Sequence, residues 1–148
     1  PGFAIHPDDL NHRYSVLING VGGTGVVTIG AWLGMAAHLQ GMEALGLDMA
    51  GLAQKGGATW SHVLIGASQD AIRTTRVGTA SADLVLGCDP VVVAGKETLQ
   101  RMRAGRTYVA LNAHSAPTAA FVRNANWQNR SDASAPAVAL TTDGVGRL

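Results

Sequence analysis

Apolar positions in this chain fall in short runs, each bounded by glycine, proline or polar residues. Tyr14-Ser15-Val16-Leu17-Ile18-Asn19 has strand length and stops at Gly20, which predicts a buried strand. Gly25 to Leu39 is apolar on nearly every side, which predicts a helix covered over most of its surface, with Gly41 as its stop. Ala44 to Met49 predicts a second, weaker strand, and residues 51–57 a loop or short helical turn. Ala58 to Ile65 predicts a strand with Trp60, His62 and Leu64 on one face and Thr59, Ser61, Val63 and Ile65 on the other. Ala71 to Val77 alternates in character and predicts a more exposed strand, hairpinned to the Trp60 strand.

Asp83 to Gly87 predicts another buried strand. Asp89 then offers an N-cap and Pro90 the first helical position. Val91, Gly95, Leu99 and Met102 would line one face of that helix, with Gly105 closing it. Arg106 to Leu111 predicts the last strand, and beyond Asn112 the pattern fades. Strands alternating with crossover helices predict an α/β fold of three layers, α/β/α. Its sheet is expected to be mixed and mostly parallel, with a Rossmann-like first βαβ unit. Residues 1–13 read as a polar N-terminal connector, 14–124 as one α/β domain, and 125–148 as a weakly patterned segment that is expected to be truncated, since no stop signal closes it.

Composition narrows the function classes. A length of 148 residues suits one domain with a real core. With 47% hydrophobic and 14% charged residues, disorder is excluded. A formal charge of +1 supplies no general drive toward nucleic acid or anionic lipid. Tyr14 to Met42 carries no formally charged residue, but the glycines at 20, 22, 23 and 25 break it well short of the roughly 20 apolar residues a membrane helix needs. The chain starts at Pro1 with no charged leader before an apolar run, so we expect no signal peptide and read it as an excised piece. The single cysteine, Cys88, excludes an internal disulfide and a cysteine-only zinc or iron–sulfur site, and fits a cytoplasmic location. His6, His12 and His114 show no metal-ligand spacing, and no metal site is expected.

Gly20-Val21-Gly22-Gly23-Thr24-Gly25 is a G-x-G-x-x-G turn between a predicted strand and a predicted helix. Such a turn lets backbone approach a phosphate, and the helix start offers free N–H groups to it. Asp48, near the end of the next predicted strand, is placed to bond a ribose hydroxyl. The plainer explanation is that these glycines let the helix pack tightly on its strand. The hairpin expected after Asp48 also breaks a doubly wound order.

The turn does not stand alone. Asn19 to Thr28 is followed by Leu47-Asp48-Met49-Ala50-Gly51-Leu52-Ala53-Gln54-Lys55-Gly56-Gly57-Ala58, then Ser61-His62-Val63, then Ala82 to Asp89. Over about residues 14–124 this combination resembles the gamma domain of the 2-oxoacid:ferredoxin oxidoreductases, most of all the indolepyruvate ferredoxin oxidoreductase type. The resemblance implies an enzyme that oxidatively decarboxylates aryl pyruvates to acyl-CoA thioesters. It implies thiamine diphosphate, magnesium, iron–sulfur clusters and coenzyme A in the parent enzyme, with ferredoxin as electron acceptor. It places the thiamine and cluster sites in other domains, so no cofactor is expected to be held by this chain alone. This chain is then a non-catalytic gamma-type domain that completes an assembly and helps position coenzyme A. Its partners would be other domains or subunits of the same oxidoreductase, with ferredoxin reached through the assembly and a homo-oligomer also compatible. The competing reading is a free-standing NAD- or FAD-binding dehydrogenase domain using Gly20, Gly22, Gly25 and Asp48. A third is an interaction module that binds no ligand.

The candidate cofactor-binding residues are Gly20, Gly22, Gly23, Thr24 and Gly25 with Gln54, Lys55, Gly56 and Gly57. Lys55 is one of two lysines, and an ammonium beside glycine amides suits a phosphate or diphosphate; a subunit contact or a solvated lysine explains it as well. His62 between Trp60 and Leu64 reads as a structural histidine. His38 at the end of the apolar helix also reads as structural. Cys88, after a strand and before a helix start, sits where a thiol pKa can fall, with a packed inert thiol as the plainer expectation. Arg101, Arg103 and Arg106 read as cations complementing a helix end. Ser61 and Ser115 lack a His–Asp arrangement, and no residue is assigned a catalytic role.

Overall fold

The computed structural model describes residues 13–51 and 57–112. Its elements are β1 (Tyr14–Val21), α1 (Val26–Leu39), β2 (Glu43–Ala50), β3 (Ala58–Gly66), β4 (Leu84–Gly87), α2 (Pro90–Val93), α3 (Lys96–Leu99) and β5 (Tyr108–Leu111). One turn of 3-10 helix, Gln69–Ala71, follows β3. All but the last residue of the expected connector 1–13 and the whole segment 125–148 lie outside the described residues, as does most of Gly51 to Gly57.

The five strands form one sheet in the order β2-β3-β1-β4-β5. β1 and β3 carry the unbroken apolar runs, and both are buried on both faces. Leu17, Ile18 and Leu64 are each wholly buried, and each contributes roughly 1.5–3 kcal/mol of transfer free energy. α1 covers one face, over a cluster that includes Val16, Ile18, Val63 and Ile65. The other face packs Leu17, Leu64, Val85 and Val109 against Val77, Ala82, Val93 and Met102 from the segments that follow β3 and β4. The three-layer α/β/α arrangement expected from the sequence is therefore present.

The sheet is mixed, and its pairings divide equally. β1 pairs β4 and β4 pairs β5 in parallel, while β3 pairs antiparallel with both β1 and β2. β2 thus runs in the direction of β1 but does not touch it, because β3 returns between them. The first βαβ unit crosses over as expected, yet its two strands are not hydrogen-bonded neighbours as they are in a Rossmann unit.

Four expectations are corrected. Ala71 to Val77 is no strand, and the hairpin partner of β3 is β2. Thr74 Oγ1 donates to the Arg76 carbonyl and accepts from the Arg76 amide, a local alternative to a ladder. Val77 beyond it is fully buried under the sheet. The single helix expected from Pro90 to Met102 is two one-turn helices. Gly95 stands between them in extended conformation (φ −69°, ψ 148°), and Val93 and Thr98 become the buried positions in place of Val91, which is 41% exposed. Gly105 closes no helix but supplies a positive φ of 73° in the turn before β5. Finally, α1 is covered on one side only: Trp32, Met35 and Leu39 are 70%, 59% and 79% exposed. No helix among the described residues is long and apolar enough to cross a membrane.

Candidate functional site

β1 lies where the connections diverge. Its crossover, α1, leads along one face to β2, while α2 and α3 after β4 lead along the other face to β5. Ligands of open α/β sheets bind at such a point, outside the carboxyl ends of the strands. Four chain segments meet at that edge. They are the turn after β1, the Gly57 end of the β2–β3 connection, Gly87-Cys88-Asp89 after β4, and Asn112 after β5. Backbone hydrogen bonds join them. Gly22 N–H donates to the Gly57 carbonyl at 2.8 Å, Cys88 N–H to the Asn19 carbonyl at 2.7 Å, and Asn112 N–H to the Gly87 carbonyl at 2.7 Å.

The glycines of the turn do separable jobs. A Cβ on Gly20 would lie 2.9 Å from both the Cys88 Cβ and Thr24 Oγ1, so Gly20 is required by close packing. Gly23 and Gly25 hold φ of 89° and 87° with open space around them, so they are required by backbone conformation. Gly22 is committed to Gly57, and Thr24 folds back on Val21, donating from both its amide (3.1 Å) and its hydroxyl (2.6 Å). Gly25 caps α1 with no side chain. The amides of Val26 to Thr28 therefore have no intrahelical acceptor and face the same edge as the turn. The structure brings together Gly20, Gly22, Gly23, Thr24, Gly25 and Gly57; Gln54, Lys55 and Gly56 lie outside the described residues.

Asp89 caps α2, accepting from the amides of Val91 (2.9 Å) and Val92 (3.0 Å), as its position before Pro90 predicts. Cys88 does not gain acidity from that helix start. Burial, then the Asp89 carboxylate, push its thiol pKa up from the ordinary value. The plainer expectation of a packed, inert thiol holds, and the alternative of a lowered pKa does not: the helix is a single turn, and its free amides are taken by Asp89.

Below this edge, on the face away from α1, lies a polar cluster that sequence reasoning missed. Thr98 Oγ1 accepts from Asn19 Nδ2 at 3.0 Å and from Trp60 Nε1 at 3.3 Å, and donates to the Val92 carbonyl at 3.1 Å. It ties β1, β3, α2 and α3 together beneath the turn. Asn19 Oδ1 is buried without a partner among the described residues. The only available signal was the polar Asn19 and Thr98 inside otherwise apolar elements.

His62 is structural, as expected: it is 1% exposed, and its Nδ1 accepts from Val77 N–H at 3.2 Å. Burial, then the Arg101 and Arg76 cations, lower its pKa to about 4 against the opposing pull of Asp48 and Glu97. Two of the three arginines are engaged elsewhere than at a helix end. Arg101 donates to the Val77 carbonyl and pairs with Glu97, and Arg106 Nε pairs with Asp83 at 2.8 Å. Asp83 also accepts from Ser15 N–H at 2.8 Å, so this pair fixes the start of β4 against β1. Asp48 stands on β2, two strands from the turn. At a spacing of about 4.8 Å per strand it lies roughly 10 Å to the side of β1.

The chain belongs to the pyruvate ferredoxin/flavodoxin oxidoreductase family, whose model matches residues 15–142. Among solved structures its fold is similar to that of pyruvate oxidoreductase subunit PORC from Thermotoga maritima. That match has 18% identity and a TM-score of 0.53, covering 76% of this chain and 55% of that one. It is also similar to 2-oxoglutarate:ferredoxin oxidoreductase from Magnetococcus marinus, solved with 2-oxoglutarate, coenzyme A and succinyl-CoA bound. There the identity is 14% and the TM-score 0.58, covering 73% of this chain and 18% of that one. The chain thus spans about half the length of the Thermotoga subunit. No curated protein matches the sequence.

Proposed function

We propose that this chain is the gamma-type domain of a 2-oxoacid:ferredoxin oxidoreductase of the indolepyruvate type, supporting assembly and the placing of coenzyme A. The observation that carries the proposal is the bond from Gly22 N–H to the Gly57 carbonyl. It joins the first glycine turn to the end of the Gly51–Gly57 segment, the two stretches whose combination resembles that family. Beside the bond lies the uncapped start of α1, which suits the diphosphate of coenzyme A. Lys55, five positions after β2, is the cation we assign to the same diphosphate.

The donor set does not fit the parent enzyme's redox groups. One cysteine in the chain cannot supply the four thiolates of an iron–sulfur cluster. No group of three or more His, Cys, Asp and Glu suited to a metal ion occurs among the described residues. Decarboxylation and electron transfer are accordingly assigned to other domains or subunits, and this chain's share is binding and docking. The dinucleotide alternative is weaker, because β3 separates Asp48 from the strand that carries the glycine turn.

Two measurements test the reading. Coenzyme A should protect Lys55 from amine labelling, and Lys55→Ala should weaken its calorimetric binding at least tenfold. Turnover of an aryl pyruvate with coenzyme A, thiamine diphosphate and a viologen should require the remaining subunits. Turnover by the chain alone, or tight NAD binding lost in Asp48→Ala, would overturn it.

A further inference from the structure

We infer that the outer edge of β2 is a self-pairing surface, on which a second copy of this chain adds its own β2 antiparallel and continues the sheet across a two-fold axis. β2 ends the sheet, and its outer edge carries no ladder among the described residues. Its eight residues pair with β3 in unbroken register. Edge strands are ordinarily guarded by proline, lysine, a bulge or short length. β2 has none of these, and it presents Leu45 at 37% exposure beside the half-buried Leu47 and Met49.

The only charges on the strand are Glu43 and Asp48, and neither makes an ion pair among the described residues. Their placement selects the register. Residues opposite one another in an antiparallel pair share a face, so a symmetric pair is centred on a residue. Two centres use nearly the whole strand, Gly46 and Leu47. Centring on Leu47 makes the two Asp48 carboxylates diagonal neighbours at about 7–8 Å. Centring on Gly46 sets Asp48 against the partner's Ala44 and holds the two Asp48 positions about 14 Å apart along the strands.

In that second register Glu43 stands against the partner's Met49. Both lie on the face away from α1, with Leu45 and Leu47. There the Arg76 guanidinium donates to Met49 Sδ at 3.0 Å and makes no ion pair among the described residues. The axis thus sets Glu43 of each copy beside the partner's Arg76, once on either side.

The opposite face is self-complementary as well. α1 packs over β3 and β2, and Ala31, Gly34 and Met35 line its side toward the edge, above Ala44, Gly46 and Asp48. At about 4.8 Å per strand, a helix centred over β2 and β3 stands about 10 Å from its symmetry mate. That is helix-packing distance when the residues at the seam are small. Ala31 and Gly34 supply them, and a Cβ added at Gly34 or Gly46 meets nothing within 4 Å in the single copy. The short turn at 40–42 sets His38 over the start of β2, so Asp48 also approaches the partner's His38. An extended peptide from another protein offers β2 a backbone ladder alone, with no helix for this groove and no fixed cation for Glu43.

β3 separates this edge from the strand that carries the glycine turn, so the inference stands apart from the coenzyme A reading. Sedimentation equilibrium of the full chain should show reversible dimerisation, and amide exchange along β2 should slow as the dimer forms. Glu43→Arg and Arg76→Glu should each weaken the dimer at least tenfold, because each reversal acts twice across the axis. The double variant Glu43→Arg/Arg76→Glu should recover to within about threefold of the parent chain. Both side chains are exposed, and thermal unfolding checks that each variant is folded. A chain that stays monomeric, or a dimer indifferent to both single reversals, would overturn the inference. So would weakening by both reversals with no recovery in the double variant.

Discussion

Gly30 of α1 lies so close over Ser61 of β3 that a Cβ on it would stand 2.2 Å from the serine Oγ. Four residues on, Gly34 faces open space. The same substitution should therefore act in opposite senses at the two sites. Gly34→Ala should stabilise the fold by about 0.5–1 kcal/mol through helix propensity. Gly30→Ala should destabilise it by about 1–3 kcal/mol, because the crowding outweighs that gain. Urea unfolding of the two variants against the parent chain checks the contrast.

His62 gives the fold a pH dependence of known sign. Its folded pKa of about 4 lies below the ordinary 6.5, so the unfolded chain takes up the proton first as pH falls. Stability should be full above pH 6.5 and decline toward pH 4, by about 3 kcal/mol in all. His62→Asn keeps an acceptor near the position of Nδ1 and should flatten that slope. Urea midpoints at pH 7.5, 5.5 and 4.5 measure it.

Thr98 is the shared acceptor for Asn19 and Trp60. Thr98→Val keeps the shape but strands the buried Asn19 Nδ2 and the half-buried Trp60 Nε1, and should cost about 1–3 kcal/mol. Thr98→Ser should cost far less. Near-ultraviolet circular dichroism of Trp60, with chemical unfolding, distinguishes the two.

Cys88 should behave as a sluggish thiol. Its raised pKa means little thiolate at neutral pH. Reaction with an aromatic disulfide reagent at pH 7 should run slower than that of free cysteine, with its midpoint in pH above that of an ordinary thiol. Asp89→Asn should shift that midpoint downward by removing the adjacent negative charge.

Element types were legible in the sequence wherever the apolar runs were long and cleanly bounded. β1, α1 and β3 fall within two residues of expectation at each end, because glycine punctuates both chain and structure. The strand order was not legible. Nothing local in Ala44 to Met49 says that its neighbour is β3 and not β1; that choice depends on pairing across the sheet. The Ala71–Val77 error has a related cause. Alternation there reflects Val77 diving under the sheet while its neighbours stay out, which mimics a period of two. At the site, the glycine turn was visible as a motif, but its bond to Gly57 was not, because it depends on β3 pairing with β1 across the sheet. The Asn19–Thr98–Trp60 cluster was invisible because its members lie up to 79 positions apart.

β1 and β3 are matched residue for residue over eight pairs, from Tyr14 with Ile65 to Val21 with Ala58. Those pairs act as a ruler that sets one glycine turn level with the other. Lengthening either strand by one residue would turn every following side chain to the wrong face and slide Gly57 out of reach of Gly22. The two glycine segments are thus free to vary in their tips but not in their spacing from the sheet, so insertions that preserve function belong beyond Gly22 or before Gly57.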